Sequence, residues 1–192
     1  MMGKSYWESR WQNKYTLWDI GYANPAISNF MAKYPNKNAA ILIAGCGNAY
    51  EAEFLLNHGF TNITLVDIAD TPVKHLQEKF KNQKAIKILC EDYFEHIGTY
   101  DVMIEQTFFC AIDPKERSNY AKKAPSLLQE NGILTGVLFD QEFENDGPPF
   151  GGNREEYKEY FRRYFNFTIF ETCNNSIPQR QGSELFIVLT KK

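Results

Sequence analysis

The sequence predicts an α/β chain built on a parallel sheet with crossover helices, and three observations carry that expectation. Short β-branched apolar runs alternate with longer stretches of helical periodicity from Ala39 onward. Helix punctuation falls between those runs. The 192 residues, 43% hydrophobic and 23% charged, suit one globular domain with a real core, and no repeat, low-complexity segment or Ser/Gly linker marks a second.

Residues 1–38 precede the first strand and read as a tryptophan-rich helical extension, or lid, on a core of residues 39–192. The core strands are expected at Ala40 to Ala44, Ile63 to Asp67, Ile86 to Cys90, Tyr100 to Glu105 and Ile133 to Phe139. Between them, Ala52, Leu55 and Leu56 share one helical face, as do Val73, Leu76 and Phe80, and then Tyr120, Ala121, Ala124, Leu127 and Leu128. Thr71 before Pro72 and Asp113 before Pro114 read as helix caps, with Asp70 an accessory cap beside Thr71. Gly59 and Gly132 read as helix stops. The polar stretch Asp140 to Asn153, with Gly147-Pro148-Pro149 and Gly151-Gly152, is expected to be a loop or lid. A tyrosine-rich helix from Arg154 to Tyr164 follows. The last two runs, Phe167 to Thr172 and Leu185 to Thr190, read as a closing antiparallel pair.

Composition excludes several function classes. Formal charge is −3 and no basic tract offers a nucleic-acid groove. No apolar run approaches the ~18 residues of a membrane span, and the first 18 residues lack the apolar segment of a secretory signal. Cys46, Cys90, Cys110 and Cys173 form no CxxC pair, which argues against a zinc knuckle or disulfide framework and for a reducing cytoplasm. Cys110 has no neighbouring base to make it a nucleophile. His58, His75 and His96 share no metal-like spacing and read as surface residues, so no metal is expected.

The chemistry-bearing signal is Ile41-Leu42-Ile43-Ala44-Gly45-Cys46-Gly47-Asn48, a strand running into a glycine turn ahead of a helix. Glycines there let backbone approach a ligand, and the helix offers free N–H groups. A dinucleotide fingerprint needs a third glycine at position 50, where Tyr50 would crowd a pyrophosphate. Asp67 lies 20 residues beyond Gly47, where an acid meets ribose hydroxyls in such folds, and Asp92 follows the third strand, placed to accept from an adenine amino group. This set suits an adenosine ligand without phosphate, with S-adenosylmethionine the candidate. Trp7, Trp11 and Trp18, the only tryptophans, read either as core or as a roof attracting a sulfonium by its charge. Phe108 and Phe109, after the fourth strand, read either as walls of a dry pocket or as helix-packing residues.

Several segments together resemble a family. They are Trp7-x3-Trp11-x6-Trp18-Asp19, Gly45-Cys46-Gly47, Asp67, Glu91-Asp92-Tyr93-Phe94, Phe108-Phe109-Cys110-Ala111-Ile112, Gly147-Pro148-Pro149-Phe150 and Ser176-Ile177-Pro178-Gln179-Arg180. The chain resembles the thiopurine methyltransferase-like, S-adenosylmethionine-dependent methyltransferases, and within them the plant methyl halide and thiol transferases. The resemblance implies a three-layer αβα Rossmann-like fold with a seven-stranded, mostly parallel sheet whose last strand is antiparallel. It also implies that Trp7, Trp11, Trp18, Gly45, Gly47, Asp67, Asp92, Tyr93 and Gln106 surround the cofactor. Ala44 replaces a proline frequent in relatives, and Gln106 replaces a tyrosine of the plant enzymes.

The reaction implied is in-line methyl transfer to a small soft nucleophile: halide, bisulfide, thiocyanate or small thiol, with thiopurine as the alternative within the family. Phe108, Phe109, Phe150 and Tyr157 are the pocket candidates. Arg180 either attracts an anionic substrate or pairs with Glu184 at the surface. Glu105, Asp113 and Asp140 lie near the expected mouth without a distinguishing partner, so base-free transfer is expected. Rivals from other classes are a nicotinamide-dependent oxidoreductase and a non-catalytic adenosine-cofactor-binding module. The expected partner is a small molecule or small anion, with no nucleic acid or membrane, and the expected assembly is a monomer or weak homodimer.

Overall fold

A computed structural model describes residues 2–192. A seven-stranded sheet runs in the order β3-β2-β1-β4-β5-β7-β6. Its strands are β1 (Ile41–Ala44), β2 (Ile63–Asp67), β3 (Ile86–Cys90), β4 (Tyr100–Gln106), β5 (Leu128–Phe139), β6 (Phe165–Thr172) and β7 (Glu184–Lys191). The pairs among β1 to β5 are parallel, and β7 runs antiparallel to both β5 and β6. The antiparallel closure and the reversal of strand order at β1/β4 agree with the expected architecture. A parallel sheet covered on both faces needs strands apolar throughout, and β1 and β2 are buried at every residue.

Alternate strand residues feed two cores. Ile41, Ile43, Ile63 and Leu65 meet Ile27 and Met31 of α2 (Pro25–Ala32), Ala52 and Leu55 of α3 (Tyr50–Asn57) and Leu76 of α4 (Asp70–Lys79). On the other face, Leu42, Ala44 and Val66 meet Tyr120, Ala121 and Ala124 of α5 (Arg117–Ser126) and Tyr157 and Phe161 of α6 (Arg154–Phe161). The leading 38 residues are therefore not all peripheral: α2 is part of the core, capped by the buried Asn24, which accepts from the Ala26 N–H at 2.9 Å. By contrast α1 (Lys4–Gln12) buries no residue.

Four local expectations are corrected. Thr71 and Asp70 do not cap α4: the helix already includes both, and the Glu8 carboxylate of α1 caps it from outside, accepting from the Thr71 N–H at 3.0 Å and its hydroxyl at 2.5 Å. Asp70 instead pairs with Lys4 at 2.8 Å. Gly132 does not end a helix. The helix α5 stops at Ser126, and Gly132 closes a bulge where β4 pairing jumps from Leu128 to Ile133; a Cβ there would sit 2.9 Å from the Gln129 carbonyl. His96 is buried, held between the Glu91 carboxylate and the Tyr100 hydroxyl, whereas His58 and His75 are exposed. By contrast Asp113 does cap, accepting from the Lys115 N–H at 3.0 Å before the 3-10 turn Pro114–Glu116.

Candidate active site

Ligands of open α/β sheets bind beyond the carboxyl ends of the strands where strand order reverses, here between β1 and β4. Two adjoining clefts lie at these strand ends, one at β1 and β4 and the other at β4, β5 and β7. The first is lined by Trp18, Gly45, Gly47, Asn48, Tyr50, Gln106 and Thr107, among others. Gly45 and Gly47 both take positive φ, at +59° and +51°, which L side chains rarely adopt. For Gly45 bareness is needed for space as well, whereas a Cβ on Gly47 would make only ordinary contact. A Cβ on Gly45 would stand 2.4 Å from Phe108 Cδ2, and one on Gly47 would stand 3.4 Å from Trp11 Cζ2.

The tryptophans do not enter either core. They are half-buried and packed edge to face on one another, Trp18 lying 5.6 Å from Trp7 and 5.8 Å from Trp11. The Lys4–Asp70 pair and the Glu8 cap fasten α1 to the start of α4, so the indole cluster is held over Gly47. Tyr50 turns aside to Asp19, donating to its carboxylate at 3.2 Å.

Asp67 lies behind this turn. Its Oδ2 accepts from the Gly47 N–H and its Oδ1 from the Ala69 N–H, each at 3.0 Å, and burial pushes its carboxyl above the ordinary range. Two accepted bonds leave a carboxylate further acceptor sites. Gln106 accepts from the Thr107 hydroxyl at 2.7 Å and lines the cleft. Asp92 is half-buried and caps its own turn, accepting from the Phe94 N–H at 2.9 Å. The Tyr93 ring is 3% exposed and stacks on Tyr120 in the core.

The second cleft is lined by Glu105, Thr107, Phe109, Cys110, Val137, Leu138, Phe139, Tyr157 and Glu184. Thr107 lines both clefts. Of the four pocket candidates, Phe109 and Tyr157 line it. Phe108 does not: its ring covers Gly45 and meets Tyr93 and Tyr120 edge to face. Phe150 does not either. Its N–H donates to the Cys110 carbonyl, and its carbonyl, with that of Gly151, accepts from the buried Arg117 guanidinium, fastening residues 150–152 to the cleft's outer side.

Glu105, which the sequence left undistinguished, acquires partners. Glu105 is 1% exposed; its Oε1 accepts from the Phe108 and Phe109 N–H groups at 2.8 Å, and its Oε2 from the Tyr120 hydroxyl at 2.6 Å. Burial pushes its carboxyl up to about 7 against those hydrogen bonds. Arg180 does pair with Glu184, at 3.4 Å, but not at the surface: Glu184 is 1% exposed. The same guanidinium donates to the Trp18 carbonyl and lies over the Phe139 ring, joining the two clefts. Burial pushes the Cys110 thiol up to about 12, in keeping with an inert cysteine.

Comparison with known proteins follows the same lines. The family model for thiopurine S-methyltransferase matches residues 2–189. "Probable thiol methyltransferase 2" of Arabidopsis thaliana is 30% identical over 158 residues, covering 80% of this chain and 70% of that protein. "Thiocyanate methyltransferase 1" of the same plant is 27% identical over 184 residues, covering 93% and 81%. Among solved structures, a Burkholderia thailandensis 1,6-didemethyltoxoflavin-N1-methyltransferase with bound S-adenosylhomocysteine superposes with a TM-score of 0.76 at 18% identity, covering 98% of this chain and 87% of that one. That likeness establishes the shared fold. Among the described residues no helix is long and apolar enough to cross a membrane. With the match spanning nearly the whole sequence, the chain belongs to the thiopurine S-methyltransferase family and is a methyltransferase.

Proposed function

We propose that the chain moves the methyl group of S-adenosylmethionine onto a small soft nucleophile, with sulfur acceptors (bisulfide, thiocyanate, small thiols) ahead of halides. The observation that carries this reading is the junction of two clefts at Thr107, one walled by glycine backbone and Trp18, the other by aromatic and aliphatic side chains. Bound S-adenosylmethionine supplies a methyl group on a positively charged sulfur, so attack by an anion cancels charge and needs no acid.

The chain's own residues suit that ligand. Gly45 and Gly47 present bare backbone to the first cleft, Asp67 keeps acceptor sites for ribose hydroxyls, and Trp7, Trp11 and Trp18 offer faces to a sulfonium. Gln106 stands at the junction. Asp92, half-buried after β3, is the candidate acceptor for the adenine amino group. In the second cleft, Phe109, Leu138, Phe139 and Tyr157 exclude water from the acceptor, and rate comes from aligning nucleophile and methyl group within about 3–3.5 Å. An acceptor that already carries its negative charge needs no base. The names of the plant relatives favour sulfur over halide.

The test is incubation with methyl-labelled S-adenosylmethionine and a panel of iodide, bisulfide, thiocyanate, 2-mercaptoethanol and a thiopurine. Labelled thioether or methyl thiocyanate is expected. Binding of the methyl donor without any labelled product would refute the reading.

A further inference from the structure

The second cleft holds one polar feature that methyl transfer to an anion does not use. Every other polar side chain on its walls has a partner. The Glu105 carboxylate accepts three hydrogen bonds, the Thr107 hydroxyl donates to Gln106, the Cys110 thiol lies against the Thr107 carbonyl, and the Tyr157 hydroxyl donates to the Phe139 carbonyl at 2.7 Å. Glu184 is the exception. Arg180 fixes its Oε1, while its Oε2, fully buried, has no hydrogen-bond partner among the described residues. A buried acceptor is costly to leave unpaired, so such an atom on a cleft wall points to a ligand that brings a donor.

A halide or thiocyanate brings no hydrogen and would meet a carboxylate oxygen head on. A neutral thiol brings one. An unperturbed thiol, with a pKa of about 8.5, is mostly protonated at neutral pH, so its sulfur attacks well only as the proton leaves. We propose that Glu184 is the residue that receives that proton: Oε2 accepts the hydrogen bond of a neutral thiol acceptor and takes the proton as the sulfur attacks the methyl group. The new bond is sulfur to methyl carbon. The bond that breaks joins that carbon to the donor sulfonium, which keeps the electron pair and becomes neutral, and the thiol proton ends on Oε2. Glu105 is less suited to the task despite lining the same cleft, because its oxygens are already engaged in holding the turn at Phe108 and Phe109. Arg180 acts as a positioning residue, orienting the carboxylate through Oε1 so that the other oxygen is presented.

The titratable groups around Glu184 are Arg180 on the 3-10 turn Pro178–Arg180, Glu105 on β4, Cys110 after it, Tyr157 on α6 and Cys173 beyond β6, whose N–H donates to the Glu184 carbonyl. Because all of them act on any acceptor in the cleft, the ratio of thiol to thiocyanate turnover isolates Glu184.

This inference rests on the proposed methyl transfer, and the experiment separates the two. Wild type and Glu184→Gln are assayed with S-adenosylmethionine and either 2-mercaptoethanol or thiocyanate. The variant's thiol-to-thiocyanate ratio is expected to fall about 100-fold or more. In wild type the ratio should change by much less than tenfold per pH unit below about pH 8.5, whereas an unassisted thiol would lose about tenfold. A second readout needs no turnover and no variant. Calorimetry of 2-mercaptoethanol binding to the wild-type protein with S-adenosylhomocysteine, in two buffers of different ionisation enthalpy, should show no net proton release, because the proton stays with the thiol or on the protein. Release of about one proton per thiol at neutral pH would overturn the inference, as the thiol would be binding as thiolate with its proton lost to solvent. Equal loss of both activities in Glu184→Gln, or a wild type that methylates thiocyanate but no thiol, would overturn it too. If no acceptor is methylated, the functional reading itself fails and this inference with it.

Discussion

Glu105 gives the account its most quantitative handle. Its carboxyl is fully buried and is pushed from the ordinary 4.5 up to about 7. Between those values the folded chain holds a proton that the unfolded chain has released, so the stabilising contribution is fully present below about pH 4.5 and is lost as pH rises through about 7. At about 1.4 kcal/mol per pKa unit, the difference amounts to about 3 kcal/mol. Glu105→Gln removes the titration while keeping the contacts: the amide oxygen can accept from the Phe108 and Phe109 N–H groups and the amide nitrogen can donate to the Tyr120 oxygen. Urea unfolding of both proteins from about pH 4.5 to about pH 8 should therefore show the variant gaining about 3 kcal/mol on wild type across that range. Parallel curves would refute the reasoning, and with it the assignment of Glu105 as a buried, proton-holding anchor of the turn between the clefts.

Three further outcomes follow from the same geometry. Asp67→Ala should weaken S-adenosylmethionine binding by about 1.5–3 kcal/mol through loss of a charge-assisted hydrogen bond, read by calorimetry; an unchanged affinity would mean that the ribose lies elsewhere. Gly45→Ala should lower unfolding free energy by about 2–5 kcal/mol, from the left-handed backbone at φ +59° and the 2.4 Å approach to Phe108, and urea denaturation showing a loss under about 1 kcal/mol would contradict it. Arg117→Met strips the guanidinium from Glu156 and from the Phe150 and Gly151 carbonyls; a loss near 3 kcal/mol and faster proteolytic nicking within residues 140–153 are expected, and an unchanged nicking rate would count against the anchoring role.

Much of this architecture is legible in the chain because its physics is local. Runs such as Ile41–Ala44 and Ile63–Asp67 can only be strands buried on both faces, and Gly45 and Gly47 announce a turn that backbone alone can make. Other features depend on partners far away in sequence. Thr71 looks like a cap until Glu8, 63 residues earlier, supplies the carboxylate. Glu105 resembles any other acid until burial and Tyr120, 15 residues on, distinguish it; the pairing of Arg180 with Glu184, four residues apart, is legible in the sequence, whereas its burial is not. The Leu127-Leu128 pair continues a helical stripe by periodicity, yet Leu128 already pairs with Tyr100 as strand. His96 is drawn inward by Glu91 and Tyr100, a pairing that an irregular turn creates and periodicity does not register.

The central claim is that a methyl donor sits in the glycine cradle beneath the indole cluster. Since the three tryptophans of the chain all belong to that cluster, titrating the protein with S-adenosylmethionine while recording intrinsic tryptophan emission interrogates the cradle alone. The account predicts a saturable change in emission whose midpoint matches the calorimetric affinity, and S-adenosylmethionine binding that leaves the emission untouched would contradict it.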